Sequence, residues 1–431
     1  MPTDYKLTLG NEKNLLKPMK RNLSITLCAG IAMMMGACSS DEPTGKSEPF
    51  APMTISSDEA RTLSATSNAS MRLIKSVDAK LSEASPNYVF SPLSVLRDVA
   101  VLTNAAGGQT RAELTKALGM ENGEELAALN SLQNRLKQHI TGADSRTTVK
   151  INESVWTKSA VSADFKNLAE PFDIYYGTLG ANTTDNQNRI DAWVKDATAG
   201  LIAGLPDAQS ASADFSLLNA LYFQAPWKEK AEEKTGVFKN ADRTPKNVKM
   251  FELDHCREVA TPNATVVSAR YGNGAFQMTV VLPDEGLTPS EIVAGLTDGE
   301  WAAWQNMLSG SLSDYDREKY EAGEAKVRMP EWDVRSVIEL EDVLAGTGFE
   351  AMFAKEADFS ALTGNNLTVD FARQTVRIIT DREGTKAASV TEIGGFTANF
   401  TDLVIVDRPF FYTISETSTG QILFAGVVSN L

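Results

Sequence analysis

The sequence predicts an α+β protein with one large domain. Amphipathic helical patterns alternate with runs of β-branched and aromatic residues that are typical of buried strands. No linker, repeat or shift in composition interrupts the chain after residue 56, and 42% of the 431 residues are hydrophobic, enough for a sizeable core. We therefore expect residues 57–431 to fold as a single unit.

The first 56 residues carry export signals. We place initiation at Met19, so that residues 1–18 are an upstream extension. Residues 19–37 have a basic start and an apolar run of signal-peptide length, too short for a membrane span. Small residues precede Cys38, as in a bacterial lipobox, and an acidic tether, residues 38–56, follows. These features predict an exported protein anchored through lipid on Cys38 in the bacterial envelope, at the outer membrane or cell surface.

The charge of the chain limits its partners. Lys and Arg number 41 against 56 Asp and Glu, which gives a formal net charge of −15 and a pI near 4.8. Acidic proteins are repelled by nucleic acids and by polyanions such as heparin. We expect no nucleic-acid partner, no role for heparin, and membrane contact through the lipid anchor only.

Side chains suited to catalysis or metal binding are scarce. The two histidines, His139 and His255, lie in no zinc spacing and beside no Gly-x-Ser-x-Gly elbow. A Cys256/His255 dyad is disfavoured, because adjacent residues rarely converge on one reacting atom. With Cys38 lipidated, Cys256 has no cysteine partner in the mature chain. The sequence predicts a protein that is not an enzyme and needs no cofactor or metal.

Helical patterns dominate the first half of the domain. A capping box at Ser56 and Glu59 predicts the start of the first helix, and Ser91-Pro92 predicts the start of the second. Another capping box is predicted at Thr110. Further expected elements are a helix at 124–140, a strand at 148–156, a short helix at 165–172 and a helix at 188–201.

Strands become frequent after residue 214. The near-continuous apolar run 215–223 is typical of a strand buried on both faces. Other strands are expected at 278–283, 325–332, 375–380 and 402–406, helices at 300–308 and 336–346, and a closing hairpin at 409–428.

The segment between the strands predicted at 375–380 and 402–406 is unusual. It holds about twenty residues rich in Gly, Ala, Ser and Thr, and loops of this length in compact domains are usually functional or disordered. From Thr385 onward, small residues alternate with Lys386 and later Glu392, the period-two pattern of a strand with one packed face and one solvent face. The pattern predicts an exposed loop that can also become a strand.

Several motifs resemble those of the serpin family. Residues 383–389, Glu383-Gly384-Thr385-Lys386-Ala387-Ala388-Ser389, resemble the proximal hinge of inhibitory serpins, in which an acidic residue, a glycine and short side chains follow in order. Residues 87–96 resemble the serpin signature at the start of the second helix, and Asn219 with Trp227 resembles the central-strand motif. The resemblance extends from about residue 57 to residue 431.

The resemblance implies the serpin fold, with about nine helices around three β-sheets, a large central mixed sheet and an exposed reactive-centre loop at about 382–402. It also implies a monomeric protease inhibitor that acts as a suicide substrate. A serine protease, or a papain-like cysteine protease, cleaves the loop and is trapped as an acyl-enzyme while the freed strand inserts into the central sheet. The alternative is a non-inhibitory serpin-fold binding or chaperone-like protein, but the small-residue hinge favours inhibition.

Two counts along the family pattern place the reactive bond. Counting about fourteen residues past the hinge glycine, and about eleven back from the proline of the closing hairpin, gives Ala398 in both cases. The predicted reactive bond is therefore Ala398–Asn399, which suits an elastase-like protease with a small apolar pocket. Phe400 and Thr397 remain alternative reactive residues, and Phe400 would suit chymotrypsin- or subtilisin-like enzymes.

The resemblance implies a cluster called the breach, where the loop meets the sheet. It contains Trp227, Arg382 and Glu331. Many serpins have a glutamate and a lysine at the last two positions, so both signs are reversed in this chain. We expect Arg382 and Glu331 to form the same ion pair, inverted.

The resemblance also implies a sheet-opening cluster called the shutter, which contains Ser91, Ser94, Asn219 and Gln374. Gln374 replaces the usual histidine. We expect its amide to hydrogen-bond Asn219 and the Ser91/Ser94 region, and because it cannot titrate, it provides no pH-sensitive opening of the histidine type.

Overall fold

Two hydrogen-bonded β-sheets with helices on their faces form the described chain. The computed structural model describes residues 48–82, 87–310, 321–365, 367, 369, 372–385 and 402–431, which lie in one compact unit, Ser47–Leu431. This arrangement confirms the predicted α+β class.

The described residues form eleven α-helices, against about nine expected, and the difference lies in short four-residue turns. None of these helices is long and apolar enough to cross a membrane. In chain order they are α1 (Ser57–Leu81), α2 (Pro92–Ala105), α3 (Gly108–Ala117), α4 (Gly123–Gly142), α5 (Ala163–Leu168), α6 (Thr183–Ala197), α7 (Gln209–Ser212), α8 (Pro289–Gly295), α9 (Asp298–Ser309), α10 (Glu341–Leu344) and α11 (Ser360–Thr363).

Fifteen strands are described. They are β1 (Tyr88–Phe90), β2 (Thr148–Thr157), β3 (Ile174–Thr178), β4 (Phe215–Pro226), β5 (Glu232–Lys239), β6 (Pro245–Ala260), β7 (Ala264–Tyr271), β8 (Phe276–Pro283), β9 (Glu321–Pro330), β10 (Trp332–Glu339), β11 (Arg373–Asp381), β12 (Gly384–Thr385), β13 (Asp402–Ile405), β14 (Phe410–Glu416) and β15 (Ile422–Val428).

The central sheet has six strands in the order β10-β11-β12-β4-β2-β3. It is mixed, because β2 and β3 run parallel while the other pairs are antiparallel. The other sheet has the order β1-β15-β14-β8-β7-β6-β9-β13, with β5 also paired to β6. Three separate sheets were expected; two of them are joined here, because the 16-residue β6 continues through a bulge between Leu253 and Cys256.

The predicted helix starts at Ser56 and Ser91 are confirmed. Ser56 and Glu59 form a reciprocal capping box on α1, and the Ser91 side chain accepts from the Ser94 backbone N–H at the start of α2. The predicted cap at Thr110 is wrong, since α3 begins earlier with Gly107 as its cap. Thr110 instead accepts a hydrogen bond from the backbone N–H of Asp358.

The predicted helix at 336–346 is wrong over its first half. Residues Trp332–Glu339 form β10, whose side chains alternate between buried and exposed along the whole strand. Only Glu341–Leu344 begins a helix. The predicted strand 325–332 likewise divides at Glu331, because β9 and β10 belong to different sheets. The alternation of apolar and polar residues in this stretch correctly indicates a strand. Apolar residues at helical spacing led to the helix prediction instead.

The end of the predicted tether packs against the domain. Phe50, Met53 and Ile55 lie on the hydrophobic core, and the Met53 backbone N–H donates to Ser418 Oγ at 3.1 Å. The Glu48 carbonyl accepts from the Asn273 side chain at 3.3 Å. The domain boundary drawn at residue 57 therefore falls within the packed unit, because three apolar side chains before α1 have a place in the core.

Candidate functional site

The two-residue strand β12 lies between β11 and β4 in the central sheet. Thr385 is opposite Thr380 of β11 and Ala225 of β4, and both pairings are antiparallel. The chain reaches this position through a tight turn that follows Asp381. The first residues of the predicted hinge therefore already form part of the sheet.

Gly384 is required by the geometry of this turn. Its φ of +139° is rarely adopted by residues with a side chain, and a Cβ atom there would lie 2.1 Å from the Ala225 carbonyl oxygen. The hinge glycine predicted from the motif is thus fixed by both backbone conformation and space.

Thr385 is fully buried, and its hydroxyl is held from two sides. Its Oγ1 lies 2.7 Å from the Tyr271 hydroxyl and 3.2 Å from Thr380 Oγ1. Burial raises the pKa of Tyr271 far above its usual range, so its hydroxyl stays neutral and hydrogen-bonding. Sequence reasoning missed Tyr271, because it comes 114 residues before its partner and belongs to no local motif.

Trp227 hydrogen-bonds the hinge turn at two points, which is the position expected for a breach residue. Its indole Nε1–H donates to the Asp381 carbonyl at 2.9 Å, and its backbone N–H donates to the Glu383 carbonyl at 3.2 Å. Its ring stacks on Tyr271 with centroids 4.4 Å apart and planes inclined by 12°. One tryptophan therefore connects the end of β4 with both sides of the hinge turn.

The predicted ion pair between Arg382 and Glu331 is wrong. The Arg382 guanidinium instead contacts the Glu233 carboxylate at 2.9 Å and the Glu383 carboxylate at 3.2 Å. Glu331 lies at the junction of β9 and β10, where its backbone N–H donates to the Lys249 carbonyl. The acidic partner that was expected at Glu331 is supplied instead by Glu233 of β5.

Below β12 the central sheet contains a slot. In the described part of the chain no ladder joins β11 directly to β4, and the strand residues Leu217, Leu218 and Asn219 are only half-buried. A cavity of about 100 Å³ lies along this gap, lined by residues of α2, α6, β4 and β11. Among the described residues, no strand occupies the position between β11 and β4 below β12.

The predicted hydrogen bond of Gln374 to the Ser91/Ser94 region is confirmed at the Ser91 backbone, whereas the predicted bond to Asn219 is wrong. Gln374 accepts from the Ser91 backbone N–H at 2.7 Å and donates to the Ser91 carbonyl at 2.9 Å. Ser91 and Ser94 hydroxyls lie 3.0 Å apart. Asn219 does not pair with Gln374; it donates to Glu153 at 3.3 Å, because a carboxylate is the stronger acceptor. Gln374 therefore connects β11 to the start of α2.

A buried charged cluster that sequence reasoning missed lies beneath the slot. The Arg97 guanidinium bonds the Glu153 carboxylate, and both side chains are almost fully buried. Lys137 also contacts Glu153, at 3.4 Å. Asp98 lines the cavity itself. The signal in the sequence was two adjacent charges, Arg97-Asp98, within an otherwise apolar helix.

The Cys256/His255 dyad is disfavoured by the structure as well. Cys256 is a buried free thiol, and burial together with Asp254 raises its pKa to about 12. Such a thiol is not a nucleophile at neutral pH. His255 lies on the surface with its Nδ1 at 2.5 Å from Glu324.

Several predicted residues lie outside the described part of the chain, and their assignments stay predictions. They are Cys38, the hinge residues Ala387, Ala388 and Ser389, and the reactive-bond candidates Thr397, Ala398, Asn399 and Phe400.

Comparison with known sequences finds relatives across most of the chain. A family model described as Serpin (serine protease inhibitor) matches residues 64–431. The chain is 26% identical over 365 residues to a serine protease inhibitor of Cyanea capillata, an alignment that covers 80% of this chain and 93% of the relative. It is 26% identical over 378 residues to the leukocyte elastase inhibitor of Bos taurus, covering 81% and 95%.

Solved structures agree on the fold. The thermophilic serpin tengpin in its native state matches with a TM-score of 0.74 at 23% identity, covering 89% of this chain and 97% of that one. Thyroxine-binding globulin in complex with thyroxine matches with a TM-score of 0.72 at 21% identity, covering 86% and 99%. These similarities confirm the predicted serpin fold.

Proposed function

Because the chain belongs to the serpin family, whose model matches residues 64–431, we propose that it is a protease inhibitor that acts as a suicide substrate. The observation that carries the proposal is the position of β12. Two hinge residues are already paired between β11 and β4, and no strand of the described chain occupies the slot below them. The sheet is arranged to accept more of the same strand.

The proposed reaction begins as ordinary proteolysis. The protease nucleophile attacks the carbonyl carbon of Ala398, the bond to Asn399 breaks, and the amine leaves with a proton. The acyl-enzyme then holds the protease on the carboxyl end of the freed segment. Insertion of that segment removes the acyl-enzyme from its productive geometry before water hydrolyses it.

Estimates of distance and free energy support strand insertion as the step that drives inhibition. A strand of about 14 residues at about 3.3 Å per residue carries the attached protease about 45 Å. Each added ladder hydrogen bond contributes about 1 kcal/mol net, so a full strand contributes on the order of 10 kcal/mol. The uncleaved native state is then less stable than the state with the strand inserted, and it persists because a kinetic barrier separates the two.

The register of β12 supports a fit along the whole slot. Six residues beyond the pairing of Thr385 with Ala225 and Thr380, the same register places Thr391 opposite Asn219 and Gln374. In that register the small residues Ala387 and Ser389 would also face the core. The inserted segment would therefore reach the shutter with a hydroxyl side chain.

Elastase-like enzymes are the proposed targets, since Ala398 suits a small apolar pocket, with Phe400 and Thr397 as alternative reactive residues. Papain-like cysteine proteases are a second target class, because they also form acyl-enzymes. The relative from Bos taurus is named a leukocyte elastase inhibitor, which supports the first class. We further propose that the protein acts as a monomer, without heparin or nucleic acid.

We propose a bacterial envelope location for this inhibitor. The support is the basic and apolar segment 19–37 followed by Cys38, which would carry the lipid and provide the only membrane contact. The protein would then protect the cell from proteases outside it. Labelling with a lipid precursor, compared between wild type and C38S, tests this part separately.

Incubation with pancreatic or neutrophil elastase tests the inhibitory function. We expect a covalent complex that survives denaturing electrophoresis and a released fragment whose first residue is Asn399. A fragment that begins at residue 398 or 401 would move the reactive bond to Thr397 or Phe400. Cleavage without any complex would contradict inhibition and support a non-inhibitory binding role, as in thyroxine-binding globulin, whose structure holds thyroxine.

A further inference from the structure

We propose that Asp98 controls the insertion step through its protonation, so that uptake of one proton by its carboxylate favours strand insertion. The inference deepens the proposed inhibitory function and rests on it. Asp98 lines the slot from α2, directly beneath the half-buried stretch of β4 that contains Asn219. No element of the predicted hinge, breach or shutter includes it.

The polar groups around Asp98 are incompletely satisfied. Asp98 Oδ1, Asn219 Oδ1 and Arg97 Nη2 are all buried and have no hydrogen-bond partner within the described structure. Two of these three atoms are acceptors on residues that line the cavity. A buried acceptor without a donor is costly, and a proton on Asp98 would supply the missing donor.

The charges that face Asp98 come from three elements besides its own. Glu153 of β2 raises its pKa, Arg97 of α2 lowers it, and Lys137 of α4 lies on the far side of Glu153. Arg373 of β11 lines the same cavity but is already bonded to two carboxylates. The cavity-lining residues from α6, from the turn after it and from 340–352 are uncharged: Val194, Thr198, Ile202, Leu340, Leu344 and Met352.

The direction of the effect follows from burial. Burial is the largest cause that raises the pKa of Asp98 well above its usual range, ahead of Glu153, while Arg97 and Asn219 act in the opposite sense. Asp98 Oδ1 is buried, but the residue as a whole keeps partial exposure and lines the slot. A strand inserted above it would remove that exposure, and Arg373, the cation among the described cavity-lining residues, is already paired with two carboxylates. The pKa of Asp98 therefore rises further on insertion.

Proton linkage then fixes the pH dependence. The inserted state binds the proton more tightly than the native state, so insertion becomes less favourable as pH rises above the native pKa of Asp98. One unit of difference between the two pKa values changes the insertion equilibrium by about tenfold. The stoichiometry of inhibition, the number of inhibitor molecules consumed per protease trapped, should therefore rise with pH.

The experiment compares wild type with D98N, which has the same shape and no titration. The stoichiometry of inhibition is measured for both with one protease from mildly acidic to mildly alkaline pH, and the ratio of the two removes the protease's own pH dependence. We expect the wild-type to D98N ratio to rise by about threefold to tenfold across the range. D214N, an exposed aspartate beside the start of β4, is the matched control and should behave as wild type.

The outcomes separate this inference from the proposed function. If cleavage of the loop gives no gain in heat resistance, the inhibitory mechanism and the role of Asp98 are both wrong. If heat resistance is gained but the ratio is flat or falls with pH, only the role of Asp98 is wrong. D98A provides the same comparison should D98N fail to fold. The rate of heat-induced loop insertion, measured without protease, should fall as pH rises in wild type and stay constant in either variant.

Discussion

The hydroxyl groups of Tyr271 and Thr385 lie 2.7 Å apart, and this contact fixes the first inserted residue of the central sheet to β7 of the neighbouring sheet. Thr385 is also joined to Thr380 across the ladder. The start of the inserted strand is therefore tied to both sheets before any cleavage occurs.

Removal of this contact should destabilise the hinge without blocking inhibition. We expect Y271F to lower the free energy of unfolding by about 1 kcal/mol, the usual net value of one neutral hydrogen bond. Y271F and T385V should be coupled in a double-mutant cycle measured by denaturant unfolding, since each removes the same bond. Y175F, on an exposed tyrosine of β3, is the control and should change little. Additive effects of the two variants would contradict the coupling.

Under the proposed mechanism, substitution of the hinge glycine should make the protein a substrate of the protease rather than its inhibitor. In G384A the added Cβ would lie 2.1 Å from the Ala225 carbonyl, at a φ of +139°. Strained backbone of this kind costs about 1–3 kcal/mol, so β12 should leave its position and insertion should slow. The measurement is the fraction of protease trapped rather than released.

The matched control for this substitution is G123A. A Cβ atom added at Gly123 would meet no other atom within 4 Å, and this residue begins α4, so alanine should be tolerated or stabilising there. Equal trapping by G384A and G123A would show that the glycine is not required.

Local motifs predicted much of this site. Gly384 and Trp227 were found because the family pattern is local in sequence, and Ser91 because a serine before a proline predicts a helix cap. Tyr271 could not be found in this way, since its role depends on where β7 lies relative to the central sheet. Residues 336–339 were misassigned because apolar residues at 340, 343 and 344 continue a helical spacing past the end of a strand.

Charge partners were predicted less well than backbone positions. The sign reversal at Arg382 and Glu331 suggested an inverted pair, but long exposed side chains select whichever carboxylate lies within reach, and that is Glu233. Similarly, the Asn219 side chain donates its hydrogen bond to Glu153 rather than to Gln374. Both choices depend on side-chain positions across strands that are distant in sequence.

The exposed ion pair of Arg382 should contribute little to stability. Its side chain is 47% exposed and that of Glu233 is 63% exposed, and such pairs contribute about 0.2–1 kcal/mol. We expect R382Q and E233Q to lower thermal stability slightly, with coupling that disappears at high salt. E331Q is the control and should show no coupling to R382Q. Coupling between Arg382 and Glu331, with none between Arg382 and Glu233, would support the ion pair predicted from the sequence. The measurement is a double-mutant cycle at low and high ionic strength.

Removal of one partner of the buried Arg97–Glu153 ion pair should, by contrast, destabilise the protein strongly. Both side chains are 1% exposed or less, so removal of one charge leaves the other uncompensated. We expect E153Q to lower the free energy of unfolding by about 3–5 kcal/mol, and the double variant R97M/E153M to recover most of that loss. Denaturant unfolding of the uncleaved protein provides the measurement. A double variant less stable than E153Q would show that the pair itself, rather than charge balance, holds α2 to β2.

Register predicts which loop positions tolerate a large charged residue. If the register of β12 continues in the inserted strand, position 391 would face the core opposite Asn219 and Gln374, whereas position 390 would face solvent. T391R should therefore stop insertion at the shutter, so that cleavage releases active protease, while the adjacent V390R should still trap it. Both variants leave Ala398 and the hinge unchanged, and initial cleavage rates should be similar. The measurements are the yield of covalent complex and the heat resistance of the cleaved protein. If V390R loses trapping and T391R keeps it, the inserted strand has the opposite face toward the core and the register derived from β12 does not continue along the slot.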